Sequence, residues 1–358
     1  MRPVRRIALA AVLCLIAARC DEDGEDPALK VATWNLCYGF DVAPLLSVSD
    51  TNDIPLLAAE AFQQLHETDF PERASAIADR IAVQRPHLVG LQEVALIRSQ
   101  SPAGEGPAED VVFDYLKILL DALDARGLAY RVAGKVENVD IELPRIVPGD
   151  PPSLDDVRLT DFDVVLARED VEVSNVSAVR YAAALPLVNL GIEVPRGYVA
   201  LDAAWKGRTV RFVTTHLEDL PFEEIQRAQA AELAAAVAGE TKPVILSGDF
   251  NAPAPSGATW AFLSGQGFED AWLMDVRRDR GEGLTWGHDA SLRNEEVAFT
   301  LRIDLIWVRP GPRARLAEVF TDVWGDESFE RTSSGLWPSD HAGVAASLRL
   351  EERKRSKN

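Results

Sequence analysis

Short apolar runs recur along the chain, and polar residues gather at their carboxyl ends. Val31-Ala32-Thr33-Trp34, Leu88-Val89-Gly90-Leu91, Asp163-Val164-Val165-Leu166-Ala167 and Val210-Arg211-Phe212-Val213 are the first of them. Val244-Ile245-Leu246, Ile303-Asp304-Leu305-Ile306-Trp307-Val308 and Gly343-Val344-Ala345 follow. Their length and β-branched content predict sheet strands, several buried on both faces. Helical periods lie between some of them. Pro71 to Arg85 brings Ala74, Ile77, Ala78 and Ile81 onto one face before Pro86 supplies a stop. Val111 to Arg126 predicts a second helix capped by Gly127, and the Ala-, Glu- and Gln-rich stretch Phe222 to Ala238 predicts a third. Lys206-Gly207-Arg208 reads as a hairpin turn. Ser101 to Asp110 and the Pro-rich Pro144 to Pro152 read as loops.

No internal repeat or second boundary interrupts this pattern between residues 29 and 350. At 358 residues the chain is long for one domain, yet large two-sheet α/β folds reach this length as a unit. The expected division is a signal over 1–20, an acidic tether over 21–28, one domain over 29–350 and a charged tail over 351–358. Arg2, Arg5 and Arg6 precede the apolar run Ile7 to Ala18, which is short for a bilayer span and reads as an export signal. A retained membrane anchor is the alternative. Ile16-Ala17-Ala18-Arg19-Cys20 resembles the lipobox of bacterial lipoproteins, with Arg19 departing from the small residue expected there. Acylation of Cys20 and plain cleavage nearby both stay open. The expected destination is outside the cytoplasm, as a periplasmic, membrane-anchored or secreted monomer.

The formal net charge is -20, and hydrophobic residues make up 47% of the chain. That composition suits a soluble folded body with a sizeable core. If the mature chain starts at Cys20, the basic count falls from 37 to 33 against 57 acids, for a net charge of about -24. Such an excess repels polyanions at long range and argues against a broad nucleic-acid footprint, except where a bound metal supplies local positive charge. Of three cysteines, only Cys37 lies beyond the signal, which excludes a disulfide framework and a thiolate zinc site.

The chemistry sits where strands end. Asn35 follows Trp34, Gln92-Glu93 follows the second run, and Thr215-His216 follows Val210 to Val213. Gly248-Asp249-Phe250-Asn251 follows Val244 to Leu246, Asp304 lies inside Arg302-Ile303-Asp304-Leu305, and Ser339-Asp340-His341 precedes the last run. Alone, each has an ordinary explanation: Asn as a turn residue, Glu as a solvated end, His as a hydrogen-bonded structural residue. Together they make a set of carboxylates, amides and two imidazoles in one repeating context. His66, His87 and His288 lie outside it and read as structural or surface residues.

Thr33-Trp34-Asn35-Leu36, Leu91-Gln92-Glu93-Val94, Thr215-His216-Leu217, Gly248-Asp249-Phe250-Asn251, Arg302-Ile303-Asp304 and Ser339-Asp340-His341 resemble, in order, the motifs of the endonuclease/exonuclease/phosphatase superfamily. The resemblance implies an α/β four-layer αββα sandwich of two mixed sheets flanked by helices, with the site at one end. It implies Glu93 as principal ligand of Mg2+ or Mn2+, with Asn35 beside it and Asp340 as a further metal-side carboxylate. Hard oxygen donors suit such ions. It implies His341 as the base for the attacking water, oriented by Asp304. Asp249 and Asn251 would position the nucleophile and contact the phosphate, and His216 would bind phosphate or protonate the leaving oxygen. Thr285-Trp286-Gly287 and Asp270-Ala271-Trp272 resemble recurring segments that pack or line the pocket. The implied activity is hydrolysis of a phosphodiester, in nucleic acid or in a phospholipid head group. A one-metal and a two-metal scheme both stay open, as does a non-catalytic binding protein on the same fold. The longer signatures of the inositol polyphosphate 5-phosphatase branch are absent around Gly248-Asp249 and Arg302-Ile303-Asp304.

Overall fold

The computed structural model describes residues 28–188, 191–277 and 281–353. The expected signal, Cys20 and most of the tether and tail lie outside the described residues. The amino-terminal half runs β1 (Leu29–Asn35), α1 (Ala43–Leu46), α2 (Ile54–Glu67), α3 (Phe70–Gln84), β2 (Leu88–Gln92), β3 (Leu96–Gln100), β4 (Asp110–Asp114) and α4 (Tyr115–Asp124). Then come β5 (Tyr130–Val147), β6 (Ser153–Arg168), β7 (Glu172–Arg180), β8 (Leu185–Leu187), β9 (Ile192–Val194), β10 (Gly197–Trp205) and β11 (Arg208–His216). The chain closes with α5 (Glu223–Ala236), β12 (Val244–Asp249), α6 (Ala258–Gly265), β13 (Glu269–Asp270), α7 (Ala271–Met274), β14 (Asp304–Arg309), β15 (Ala314–Trp324) and β16 (Gly343–Glu352). The last strand thus passes residue 350 and takes in Glu351 and Glu352, which pair with Arg315 and Ala314.

One sheet has the order β15-β16-β1-β2-β6-β3-β4, with β5 also paired to β6; the other has the order β13-β14-β12-β11-β10-β7. Alternation along the central strands sorts their side chains between two cores. Val31, Val165 and Ala167 meet Leu201, Phe212, Ile245 and Ile306 from the second sheet in the layer between the sheets. The other face of the first sheet, with Trp34, Leu91, Val164 and Leu166, packs on Ile77 and Ile81 of α3 and Leu119 of α4. The outer face of the second sheet packs Val213, Leu246 and Trp307 on Leu233 of α5 and Leu263 of α6. This is a four-layer αββα sandwich with mixed sheets. Each such buried aliphatic side chain contributes about 1.5–3 kcal/mol relative to exposure.

Gly90 sets how closely the sheets approach: a Cβ there would meet Thr214 Oγ1 at 2.2 Å and Ser247 Oγ at 2.8 Å. Beside it Gln92 donates to Thr214 Oγ1 at 2.9 Å and accepts from Thr33 Oγ1 at 3.1 Å, so the buried amide between the sheets is satisfied. Parallel pairing then aligns strand ends. Asn35 registers with Gln92 across β1 and β2, and His216 registers with Asp249 across β11 and β12. Antiparallel β14 starts opposite, with Asp304 registered on Asp249. The polar residues that ended separate runs in sequence therefore share one end of the sandwich.

Two local expectations need correction. The helix expected over Val111 to Arg126 begins only at Tyr115; Asp110–Asp114 is a strand paired with β3. Its Val-Val-Phe centre favours a pleated surface, and the Asp114 carboxylate caps the helix by accepting from Lys117 N at 3.0 Å. The loop expected over Pro144 to Pro152 is shorter, because β5 continues to Val147. Pro144 is tolerated there since β5 pairs only with β6, leaving an edge that needs no N–H donor. The expected turn at Lys206-Gly207-Arg208 is in place, with Lys206 at φ 45° and Gly207 at φ 75° joining β10 to β11.

Asp275, just after α7, ties that helix to β15. It accepts from Thr321 N at 2.6 Å, Thr321 Oγ1 at 2.8 Å, and Arg277 N and Nη2 both at 2.7 Å. Burial opposes its ionisation, but these donors outweigh burial and hold its pKa down to about 2. A depressed folded pKa means stability present above the unfolded pKa and lost as pH falls through the folded one. Asp275→Asn is expected to lower unfolding free energy by about 1–2 kcal/mol at pH 7, discounted for the exposed Arg277. The difference should vanish between pH 4 and pH 2, as paired urea melts at both ends would show.

Candidate active site

Buried His341 bridges to Trp286 just before β16, and its Nδ1 lies 2.9 Å from Asp304 Oδ2. An ionised carboxylate only accepts, so Nδ1 carries the proton and Nε2 is the nitrogen left for chemistry. The dyad is fixed from behind. Ser339 Oγ accepts from His341 N at 3.1 Å and donates to Asn35 O at 2.7 Å, while Trp34 Nε1 donates to His341 O at 3.0 Å. Thr285 Oγ1 accepts from the backbone N–H of both Ile303 and Asp304 at 3.1 Å. Arg302 reaches Asp270 with two bonds of 3.1 and 2.9 Å, packing the strand entry as expected for that segment. Trp286 flanks the imidazole, with ring centroids 6.4 Å apart.

Asp249 lies between the two histidines. Its Oδ2 is 3.7 Å from His341 Nδ1, 3.5 Å from His216 Nε2, and accepts from Asn35 Nδ2 at 3.2 Å. Its Oδ1 accepts from Asn251 N at 2.9 Å. Asn251 Nδ2 in turn lies 3.3 Å from His216 Nε2 and 3.0 Å from Leu217 O and Asp219 Oδ1. Gly248, at φ 147°, makes this possible: a Cβ there would lie 2.0 Å from Thr215 O of the neighbouring strand. Left-handed backbone at Cys37 (58°), Glu93 (54°) and Asn251 (49°) concentrates strain around the same space.

Glu93 closes the other side. Its Oε1 accepts from Asn35 Nδ2 at 3.0 Å and its Oε2 from Tyr38 N at 2.8 Å. Asn35 Oδ1 accepts from Cys37 N at 2.9 Å, so in this arrangement Asn35 tethers Glu93 and Asp249 as a donor. Half-buried Asp340 acts on Glu93 through its charge: burial first and Asp340 second push the Glu93 carboxyl up to about 8. Burial and Asp304 push Asp249 up to about 7. Burial opposes protonation of His341, but Asp304, Asp249 and Asp340 outweigh it and hold its pKa well above the usual imidazole range. His216 moves the other way, driven down by burial, by Arg196 and by His341.

Crowded negative charge adds to burial in raising Glu93 and Asp249, and it alone raises His341 against burial. Asp249, Asp304 and His341 present ligand atoms all within 4.8 Å of one another, and buried Asp304 Oδ1 has no hydrogen-bond partner on the protein. Glu93 and Asp340 add two more carboxylates alongside. A hard oxygen-rich set with surplus negative charge fits a divalent cation.

Every residue expected at the site is at this end of the sandwich. His66 and His87 are elsewhere, His87 Nδ1 accepting from Lys30 N at 2.9 Å, while His288, near enough to feel the Asp340 charge, packs between Phe299 and Trp337. The sequence reading missed Arg196, whose Nη1 donates to His216 Nδ1 at 3.0 Å and whose Nη2 lies 3.7 Å from Glu218 Oε1. That bond places the His216 proton on Nε2, toward Asp249. It also missed Asp161 and Asp163, which face the layer between the sheets; burial pushes Asp163 well above the ordinary carboxylate range. Their signal was readable, since two acids at alternate positions of β6 share the inward face of Val165 and Ala167. Nothing around Pro195-Arg196-Gly197 marks that arginine.

Residues 32–341 match the model of the endonuclease/exonuclease/phosphatase family. No curated protein matches in sequence. Solved structures match in fold. An endonuclease/exonuclease/phosphatase from Bacteroides vulgatus is 17% identical, with 90% of this chain and 99% of that one covered and a TM-score of 0.55. The mannosyl-6-phosphatase of Bacteroides thetaiotaomicron is 18% identical, with coverage of 89% and 99% and a TM-score of 0.53. D. rerio TDP2, complexed with a single-strand DNA product, is 16% identical, with coverage of 90% and 98% and a TM-score of 0.53. The motifs, the four-layer sandwich and a family match spanning nearly all of its described residues agree: this chain belongs to the endonuclease/exonuclease/phosphatase family, a family of phosphoesterases.

Proposed function

We propose that this protein is a divalent-metal-dependent phosphodiesterase acting outside the cytoplasm. The observation that carries the reading is the His341–Asp304 contact of 2.9 Å beside Asp249, with Glu93 and Asp340 adjacent. A phosphodiester needs an activated nucleophile and neutralised phosphoryl oxygens. Glu93 and Asp340, with Asn35 alongside, would hold Mg2+ or Mn2+, and the bound ion would supply Lewis-acid stabilisation of the phosphoryl oxygens.

The chain's own residues divide the remaining work. His341 Nε2 accepts the proton of the attacking water, and Asp304 keeps the ring oriented and stabilises the imidazolium. Asp249 and Asn251 hold the nucleophile and one phosphoryl oxygen. His216, kept neutral with its proton on Nε2, suits donation to a phosphate oxygen better than release of a proton to the leaving group. Arg196 fixes that tautomer from the far side of the ring.

The test is hydrolysis by the exported form, with Mg2+, Mn2+ or EDTA. The substrates are plasmid DNA, single-stranded RNA, sphingomyelin, phosphatidylcholine, an inositol polyphosphate and bis-p-nitrophenyl phosphate. Chelator-sensitive cleavage is expected. Silence on every substrate with the fold intact would leave the binding-protein reading. The single-strand DNA product held by TDP2 raises a nucleic-acid substrate here. The net charge of -20 counts against it. Mass spectrometry of the membrane fraction separates an acylated Cys20 from a plain processed terminus.

A further inference from the structure

We infer that the substrate is an amphiphile of the lipid class, whose hydrocarbon part enters an apolar cleft that opens beside Glu93. This rests on the phosphoesterase reading above and names the substrate class of the same site.

The cleft has a cavity of about 180 Å³ and is built by three elements far apart in sequence. The β5–β6 hairpin forms one wall. Ile141 registers with Leu159 and Leu143 with Val157, so all four lie on one face. The intervening Asp140, Glu142 and Arg158 point the other way, where Arg158 pairs with Asp140 and Glu142 accepts from Ala108 N. Helix α2 forms the second wall with Ile54, Ala58, Phe62 and Leu65, one helical face. The short β8–β9 hairpin forms the third, with Leu185 registered on Val194 and Leu187 on Ile192. Three separate alternations agree in turning hydrocarbon toward one open space.

The charged groups lining the cleft are Glu93, Arg196, Glu218 and Asp219, with Tyr38 beside them; Arg196 and Glu218 are buried. Glu93 is the expected metal ligand, and Arg196 holds His216. A phosphate seated between these groups therefore has an apolar channel directly beside it. Arg196 is the sole cation among the described lining residues. A nucleic-acid channel would need basic groups along its length, and although Tyr38, Phe40 and Phe62 offer aromatic faces here, those groups are missing among the described residues. Apolar walls, mostly aliphatic with Phe40 and Phe62 among them, ending at a charged head-group site instead match a molecule with a phosphate at one end and a hydrocarbon at the other.

The experiment is calorimetric titration of the full exported protein with alkylphosphonates from ethyl to octyl, with Mn2+ present. Kd is expected to fall about two- to fourfold per added methylene until the cleft is full. Ala61 also lines the cleft from α2, so Ala61→Trp fills it and should flatten the series. Leu187→Ser, on a separate wall, should reduce the slope and covers failure of the first variant to fold. A flat wild-type series would overturn the inference, as would phenylphosphonate binding more tightly than hexylphosphonate. Turnover of bis-p-nitrophenyl phosphate is measured in parallel. Turnover with a flat series removes only the lipid assignment. A steep series with no turnover of any ester removes the hydrolase reading and leaves a lipid-phosphate binding cleft.

Discussion

Replacing His341 with alanine is expected to lower kcat at least about a hundredfold, the size of a general-base contribution, with the fold retained. The side chain is buried, but its backbone anchors remain: Trp34 Nε1 still finds His341 O, and Ser339 Oγ still finds the amide N–H. The pH profile carries the sharper test. A base works in its neutral form, and the carboxylates of Asp304, Asp249 and Asp340 favour the imidazolium. A divalent cation held there, as proposed, would offset that field and lower the His341 pKa. The acidic limb of kcat/KM should therefore move to lower pH as Mg2+ rises from scarce to saturating, and should be absent from His341→Ala. Near-wild-type turnover in the variant would place the base elsewhere.

Glu93→Gln is expected to raise the metal concentration for half-maximal activity at least about tenfold, since changes merely supporting a ligand already reach that size. It carries an opposite expectation for stability. In metal-free protein the Glu93 pKa is raised to about 8 by burial and by Asp340. An acid whose folded pKa lies above its unfolded value destabilises the fold as pH rises from the unfolded value through the folded one. With EDTA at pH 8.5, Glu93→Gln should therefore be more stable than wild type by about 1–3 kcal/mol. The gain should disappear near pH 4 and reverse with saturating Mn2+, which stabilises only a chain that binds it. Thermal melts across these conditions check every arm. An unchanged metal titration would remove Glu93 from the site, whatever the melts show.

Read along the chain, the strand ends already carried Asn35, Glu93, His216, Asp249, Asn251, Asp304, Asp340 and His341, because a polar residue after an apolar run is a local signal. Local signals also misled. Val111 to Arg126 reads as one helix since its apolar residues fit a helical period, yet Val111-Val112-Phe113 pairs with β3 as a strand. Pairing with a distant segment overrode local preference there. Helix α2 has apolar residues at 54, 58, 62 and 65, a legible period that the pattern reading left unassigned.

What the sequence determined by itself was seven of the strands, the polar set at their ends and the family resemblance, because strand period and turn chemistry act over a few residues. Tertiary structure alone decided that Arg196 would reach His216, and that residues of α2, of the β5–β6 pair and of β8 and β9 would enclose one apolar cleft. Those arrangements join groups separated by tens of residues, and the pKa shifts at the site arise only when such groups share a volume from which water is excluded.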